Sequence, residues 1–328
     1  SVEEITMALD AHIGCFVVDN FYELALLEQL GEERGQTVAV LLRVTPGVEA
    51  HTHEYISTGQ QDSKFGFDVM SGQALQAITL AHKSSSLHLL GVHSHIGSQI
   101  FETDGFLIAV KRLAELLEEA KKETGFVPEV LNVGGGFGIR YVEGDTPLPP
   151  EAYVRTITSA VRDEWTARNL PLPELWIEPG RSIVGDAGTT LYRVGSTKEI
   201  PNVRKYLAVD GGMTDNLRPA LYQARYEAAI ANKMNEPADD VVSIAGKCCE
   251  SGDMLIWDVA LPQTSPGDIL AVSCTGAYGY AMSNNYNRIA RPAVVFVKNG
   301  EAELVVKRES LADVIRQDLL PARTQSLR

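Results

Sequence analysis

Residues 129–138 read EVLNVGGGFG, a short apolar run that breaks into glycines, and this junction decides the fold. The run is apolar at nearly every position, which is how a strand buried on both faces of a parallel sheet reads. The bare backbone amides after it suit close approach to an anion, although such glycines serve backbone geometry as often. The same grammar recurs on either side. Residues 87–98 read LHLLGVHSHIGS and residues 174–181 read ELWIEPGR. Upstream, Cys15–Asp19 (CFVVD) and Thr37–Val44 (TVAVLLRV) are further candidate strands. Between the runs, apolar residues at helical spacing predict helices near Phe21–Arg34, Ser71–His82, Asp104–Glu123 and Pro150–Arg168. Ser1-Val2-Glu3-Glu4 is a capping box that opens one more helix at the start.

Repeated βα units predict an α/β fold with a parallel sheet. Polar or glycine-rich motifs follow the third, fourth and fifth strands alike. That favours a (β/α)8 barrel over an open sheet whose motifs would gather at one switch point. Five strands are legible, so at about 30 residues per unit roughly 90 residues of such a barrel are not accounted for. The expectation is a partial barrel of about five of eight βα units over residues 1–187, and a chain that is a fragment or one part of a split enzyme. From residue 188 to 328 the pattern changes to short alternating segments such as KYLAVDGGM, DVVSIAGKCC and EAELVVKR, with turn signals at Pro266-Gly267 and Asn299-Gly300. These predict a C-terminal antiparallel β domain.

Composition narrows the function classes. Hydrophobic residues are 45% and charged residues 22%, ordinary globular usage. With 43 acidic against 29 basic residues the net charge is −14, a surface that repels nucleic acid and anionic membranes. Cys15, Cys248, Cys249 and Cys274 lack paired metal-ligand spacing, so neither zinc nor a disulfide framework is expected and a cytoplasmic setting is. No apolar run reaches membrane-spanning length and no signal-peptide pattern opens the chain.

Three anion-friendly loops on one face, carrying Ser98, Gly136 and Gly180-Arg181, point to a phosphorylated ligand. Glu178 ends a buried-looking strand, where a carboxylate needs a cation or a strong donor. A protonated pyridine nitrogen would serve, and so would an ion pair with Arg181. His95 has the ring to lie against an aromatic cofactor, or to be a core histidine bonded to a carbonyl. His93, on the same face by alternation, competes for the role.

HSHIGSQI, LNVGGGFGIRY, EPGRSIVG, VDGGMTDNLRPALY, GKCCESGD and CTGAYGY resemble the motifs of the pyridoxal 5′-phosphate (PLP) decarboxylases of the alanine-racemase-like barrel class, across essentially the whole chain. Within that class HEYISTGQQDSKFGFD (53–68) and GKCCESGD (246–253) are similar to the diaminopimelate decarboxylases rather than to the ornithine or arginine enzymes. The resemblance implies decarboxylation of meso-2,6-diaminopimelate to L-lysine and CO2, the last step of lysine biosynthesis, with PLP as cofactor. It implies that His95 stacks on the ring and that Glu178 binds the pyridinium nitrogen. It further implies that Ser98, Gly136, Gly180, Arg181 and Tyr278 line the phosphate side, with Arg181 and Tyr278 also able to reach substrate. Arg218 and Tyr222 would hold the distal carboxylate of the substrate. Cys249, as proton donor, and Glu250, receiving the distal ammonium, would enter the neighbouring subunit's site in a homodimer. Cys248 is read as packing.

The family's cofactor lysine lies in a Tyr-Ala-x-Lys strand, and no such segment occurs here. Lys64 of SKFG is not its substitute, because in the family that motif is a loop away from the cofactor lysine. Two alternatives stand beside the decarboxylase reading. One is a non-catalytic regulatory or split-enzyme subunit that binds partner subunits or a separate N-terminal segment. The other is an ornithine- or arginine-type decarboxylase, disfavoured because those substrates give Arg218 no distal carboxylate.

Overall fold

The computed structural model describes residues 1–48 and 63–321. The chain divides into two compact units, one of residues 1–139 and 146–183, the other of 140–145 and 184 onward. In the first unit α1 (Val2–Asp10), β1 (Phe16–Val18), α2 (Phe21–Arg34), β2 (Val38–Thr45), β3 (Phe67–Asp68), α3 (Gln73–Lys83), β4 (Leu87–His93), α4 (Asp104–Thr124), β5 (Val130–Asn132), α5 (Pro150–Ala167), β6 (Glu174–Trp176) and α6 (Gly180–Val184) follow in order. The strands form a parallel sheet in the order β1-β2-β4-β5-β6, with β3 attached to β2.

The five strands and four helices expected here lie within two residues of their observed limits. Ser1 caps α1 through the expected box, its hydroxyl accepting from the Glu4 amide. β3 is not legible in the sequence. Two residues are too few to show a period. The HEYISTGQQD part of the motif at 53–68 lies outside the described residues.

Apolar faces of the helices cover the sheet. Leu24 and Leu27 of α2, Ala77 and Ile78 of α3, Leu113 and Leu117 of α4, and Ile157 and Trp165 of α5 are all buried in one core. That core holds the glycine loop after β5 in place. Phe137 stacks on Tyr153 of α5, with centroids 4.7 Å apart, and meets Phe106 of α4 edge-on. The Tyr153 hydroxyl donates to the Ile100 carbonyl at 2.8 Å. One aromatic cluster therefore pins both the loop after β4 and the loop after β5 from beneath.

The second unit carries β7 (Thr190–Ile200), β8 (Arg204–Val209), α7 (Arg218–Tyr222), β9 (Ala228–Ile230), β10 (Asp240–Ala245), β11 (Met254–Leu261), β12 (Ile269–Val272), β13 (Val294–Lys298), β14 (Glu301–Val306) and α8 (Leu311–Ile315). Six strands form a sheet in the order β11-β10-β8-β7-β12-β9. It is not wholly antiparallel as expected, since β8 and β10 pair in parallel. The segment between them, with α7 and β9, supplies the long crossover that a parallel pair requires. β13 and β14 form a separate hairpin, with Asn299 and Gly300 both at positive φ, the conformation a tight two-residue turn needs.

Candidate active site

The carboxyl ends of β4, β5 and β6 bring one set of polar groups together. Glu178, just past β6, accepts a 2.8 Å hydrogen bond on Oε1 from the Asn132 side-chain amide. His93 Nε2 lies 3.4 Å from both its oxygens. The expected rival, an ion pair with Arg181, is replaced by this arrangement. Arg181 is buried in α6 and donates from Nε and Nη2 to Ser98 Oγ, at 3.3 and 2.9 Å. No lysine or arginine forms a salt bridge with Glu178 among the described residues. The hydrogen bond from His93 is the main force holding its carboxyl down at about 2, against the cost of partial burial. A half-exposed carboxylate that stays ionised and takes no cation from the described residues has capacity for one from a ligand.

His95 occupies the neighbouring loop and accepts a 3.3 Å bond on Nδ1 from the Gly135 amide. That bond requires Nδ1 to be bare, so the ring is the Nε2–H tautomer. Burial, reinforced by nearby Arg43, pushes its titration down to about 4. His93, the last residue of β4, contacts the carboxylate while His95, beyond the strand end, is held by the loop, so the end of β4 between them gives the two imidazoles different work.

The glycines are required by contact. At Gly134, with φ of +71°, a Cβ would lie 2.6 Å from the Ser94 carbonyl oxygen, at Gly135 1.9 Å from that of Glu178, and at Gly136 2.3 Å from that of Gly97. The loop is therefore a wall of bare backbone. Its Gly134 and Gly135 amides serve Asn132 and His95, and that of Gly136 takes no protein partner among the described residues.

The expected residues of the second unit form two groups. Arg218 is buried at 6% exposure, donates from Nη1 to Tyr226 Oη at 2.5 Å, and lies 4.7 Å from the Tyr141 ring centre and 5.6 Å from that of Tyr226. No carboxylate pairs with it among the described residues. Tyr222 ends the same short helix, four residues on. In the other group, exposed Cys249 donates its amide to Asn287 Oδ1 at 2.8 Å, and the Tyr286 hydroxyl donates to Glu250 Oε1. Their loop hangs on buried Asp253, whose carboxylate takes the amides of Met213 and Cys248 at 2.6 and 2.7 Å. Burial, aided by Asp253, pushes the Cys248 thiol up to about 11, as suits a packed thiol. Tyr278 is 44% exposed with φ of +56° in the loop after β12. Lys64 lies 5.0 Å from the Phe65 ring centre, outside both groups. A cleft of about 810 Å³ lined by Tyr226, Trp257 and Gln223 includes none of the expected site residues.

Sequence reasoning does not single out Asn132, Tyr141, Tyr226, Asp253 or Tyr286. Asn132 alone leaves a signal there, as the one polar residue inside an apolar strand.

The first unit suits a flat aromatic ring with a basic nitrogen at one end and a phosphate at the other, which is the class of pyridoxal-dependent enzymes. Residues 1–185 match the family described as pyridoxal-dependent decarboxylase, pyridoxal binding domain. The chain is 64% identical over 316 residues to the diaminopimelate decarboxylase of Halalkalibacterium halodurans, covering 96% of this chain and 72% of that protein. It is 63% identical to that of Bacillus subtilis, covering 97% and 73%. The crystal structure of the M. jannaschii diaminopimelate decarboxylase in complex with L-lysine superposes with a TM-score of 0.90 at 37% identity, covering 98% of this chain and 73% of that one. The chain belongs to the diaminopimelate decarboxylase family. Its fold is accordingly that family's α/β pyridoxal-binding barrel with a C-terminal β domain.

The titration of His95 gives a first check. By NMR its ring is expected to titrate near pH 4 rather than near 6.5. Because the folded value is depressed, its contribution to stability is full above about 6.5 and is lost as pH falls through about 4. Melting temperatures of a His95→Asn variant should therefore fall less steeply across that window. A ring that titrates at 6.5 would contradict the buried, neutral imidazole.

Proposed function

We propose that the chain does what its family does, removing CO2 from meso-2,6-diaminopimelate to leave L-lysine, with PLP as cofactor, the closing step of lysine synthesis. When bound, PLP supplies the electron sink for the pair left by the departing CO2. Glu178 would hold the proton on the ring nitrogen. The neutral His95 imidazole would stack on the cofactor's ring. Ser98, Gly136, Gly180, Arg181 and Tyr278 would hold the phosphate end. Arg218 and Tyr222 take the distal carboxylate, Glu250 the distal ammonium, and Cys249 Sγ delivers the proton to the carbon that lost CO2.

One observation carries the substrate assignment. Arg218 is a buried guanidinium over the Tyr141 ring and bonded to the Tyr226 hydroxyl, with no carboxylate to pair with among the described residues. Diaminopimelate brings that carboxylate, and ornithine and arginine do not. A planar fork of donors matches it with two parallel bonds.

The finer architecture belongs to the same reading. Five of the six parallel strands, all but the two-residue β3, answer to about five of a barrel's eight βα units, and the division of labour falls at residues 187/188. No Tyr-Ala-x-Lys occurs in the 328 residues, so turnover is measured with the family's lysine-bearing segment present, in cis or as a second chain. Cys249 and Glu250 serve a neighbouring copy in a homodimer, a reading supported by the exposure of a loop whose backbone is firmly tied. Four free thiols support a reducing cytoplasm. Among the described residues no helix is long and apolar enough to cross a membrane.

With PLP and meso-diaminopimelate the enzyme is expected to release equimolar CO2 and L-lysine. Ornithine and arginine should be disfavoured in kcat/KM by on the order of 10⁴, as in sites built around a polar group the analogue lacks. A preference for ornithine would overturn the substrate assignment.

A further inference from the structure

Three hydrogen bonds at the carboxyl ends of β5 and β6 close into a ring. The Gly134 amide donates to Asn132 Oδ1 at 2.9 Å. The Asn132 amide group donates in turn to Glu178 Oε1 at 2.8 Å. The Glu178 backbone amide donates to the Gly134 carbonyl at 2.7 Å, completing the circuit. Asn132 is 4% exposed at the last position of β5, in register with Trp176 of β6. Both functions of its side chain are used, the oxygen as acceptor and the nitrogen as donor, and that fixes which way the amide faces. Aspartate has the same shape but cannot donate to Glu178. Leucine or valine, which the surrounding run would favour, make neither bond.

We propose that Asn132 is a positioning residue, whose carboxamide joins Glu178 and the Gly134–Gly136 loop into one rigid piece. It thereby sets the separation between the carboxylate for the ring nitrogen and the backbone wall for the phosphate. The inference rests on the reading of Glu178 given above. Its physical content is pre-organisation. A half-exposed carboxylate on a flexible side chain is otherwise free to swing, and a ligand that needed it in one place would bear the cost of ordering it. His93 touches both oxygens at 3.4 Å and leaves rotation about the side chain open, whereas the Asn132 bond to one oxygen removes it. The closed ring also transmits position. The loop cannot move without dragging Asn132, and Asn132 cannot move without releasing Glu178.

Asn132→Asp is the informative change, being nearly isosteric and keeping the acceptor for the Gly134 amide. Asn132→Ala is the second variant, deleting both bonds without adding charge. The titratable and charged groups facing Glu178 are His93 at the end of β4, His95 beyond it, Arg43 on β2 and the Cys15 thiol before β1, and all are unchanged in both variants. The first readout is the Glu178 carboxyl titration, followed by carbon-detected NMR without any ligand. It should rise by roughly one unit in Asn132→Ala and further in Asn132→Asp, as expected for a lost donor and an added like charge. The second readout is binding of pyridoxamine 5′-phosphate, which has the ring nitrogen and the phosphate but forms no bond to a lysine. Asn132→Asp should weaken it roughly tenfold where Glu178 is present, the equivalent of one unit of pKa. In a Glu178→Gln background the same change should cost little, because the glutamine amide can donate to the carboxylate introduced at position 132.

Equal losses in the two backgrounds, or a Glu178 titration that neither variant moves, would overturn the proposal. If Glu178→Gln alone leaves pyridoxamine phosphate binding intact while the Asn132 variants shift the Glu178 titration, the ring-nitrogen role of Glu178 fails and the positioning by Asn132 survives.

Discussion

Replacing Arg218 with alanine is expected to cost diaminopimelate turnover about 2–5 kcal/mol, the usual penalty when one partner of a buried charge pair is removed. In rate this is roughly 30- to 5000-fold in kcat/KM. The size follows from the surroundings. The guanidinium is buried, donates from Nη1 to Tyr226 Oη, and lies over the Tyr141 ring at 4.7 Å from its centre. Such a cation is desolvated before the substrate arrives, so a carboxylate entering there meets few competing waters. Arg218→Lys keeps the charge but loses the fork, and most of the loss should remain. Tyr226→Phe removes the hydroxyl and keeps the ring, and should cost far less. A residue that merely braced the loop would lower the melting temperature and leave the ratio of diaminopimelate to ornithine turnover unchanged, and that outcome would sink the assignment.

Glu178→Gln is expected to lower kcat/KM by about 10²–10³, the range found when a preorganised electrostatic contact to the reacting system is deleted. Glutamine is close in size and can still accept from Asn132, so the change removes charge more than structure. Its folded value is depressed to about 2, so Glu178 keeps its charge throughout the working range. Its contribution to stability is full above about 4.5 and is lost as pH falls through about 2. An acid limb in the rate near neutrality therefore arises elsewhere, and Glu178→Gln should scale the pH–rate profile down without moving its midpoints. A midpoint displaced by the substitution would show that Glu178 itself titrates during turnover.

Strands buried on both faces announce themselves by unbroken apolar runs, and helices by their spacing, so β4 at Leu87–His93 and α2 at Phe21–Arg34 are legible to the residue. The loop motifs are legible because glycines forced by contact cannot be disguised, as at Gly135 beneath the Glu178 carbonyl. What escapes is pairing. Nothing in the order of residues says that Glu178 takes Asn132 and His93 rather than Arg181 three positions away, since α6 turns Arg181 towards Ser98. Likewise Tyr141 reaches Arg218 from a distant part of the chain, and periodicity speaks only of neighbours. The parallel pairing of β8 with β10 escapes for the same reason, since short alternating segments give the face of a strand but not its direction.

The two units carry different inventories: every group assigned to the cofactor's ring lies in the first, and every group assigned to the far end of the substrate lies in the second. Natural drift can thus act on one inventory at a time. A lineage that rewrote the stretch from Arg218 to Glu250 would change what is handled while inheriting untouched the apparatus between His93 and Arg181. The opposite edit, in the closed ring of Asn132, Gly134 and Glu178, would impair the handling of every substrate alike. Across descendants of this chain, diversity of diet should accumulate in the β domain and frugality in the parallel sheet.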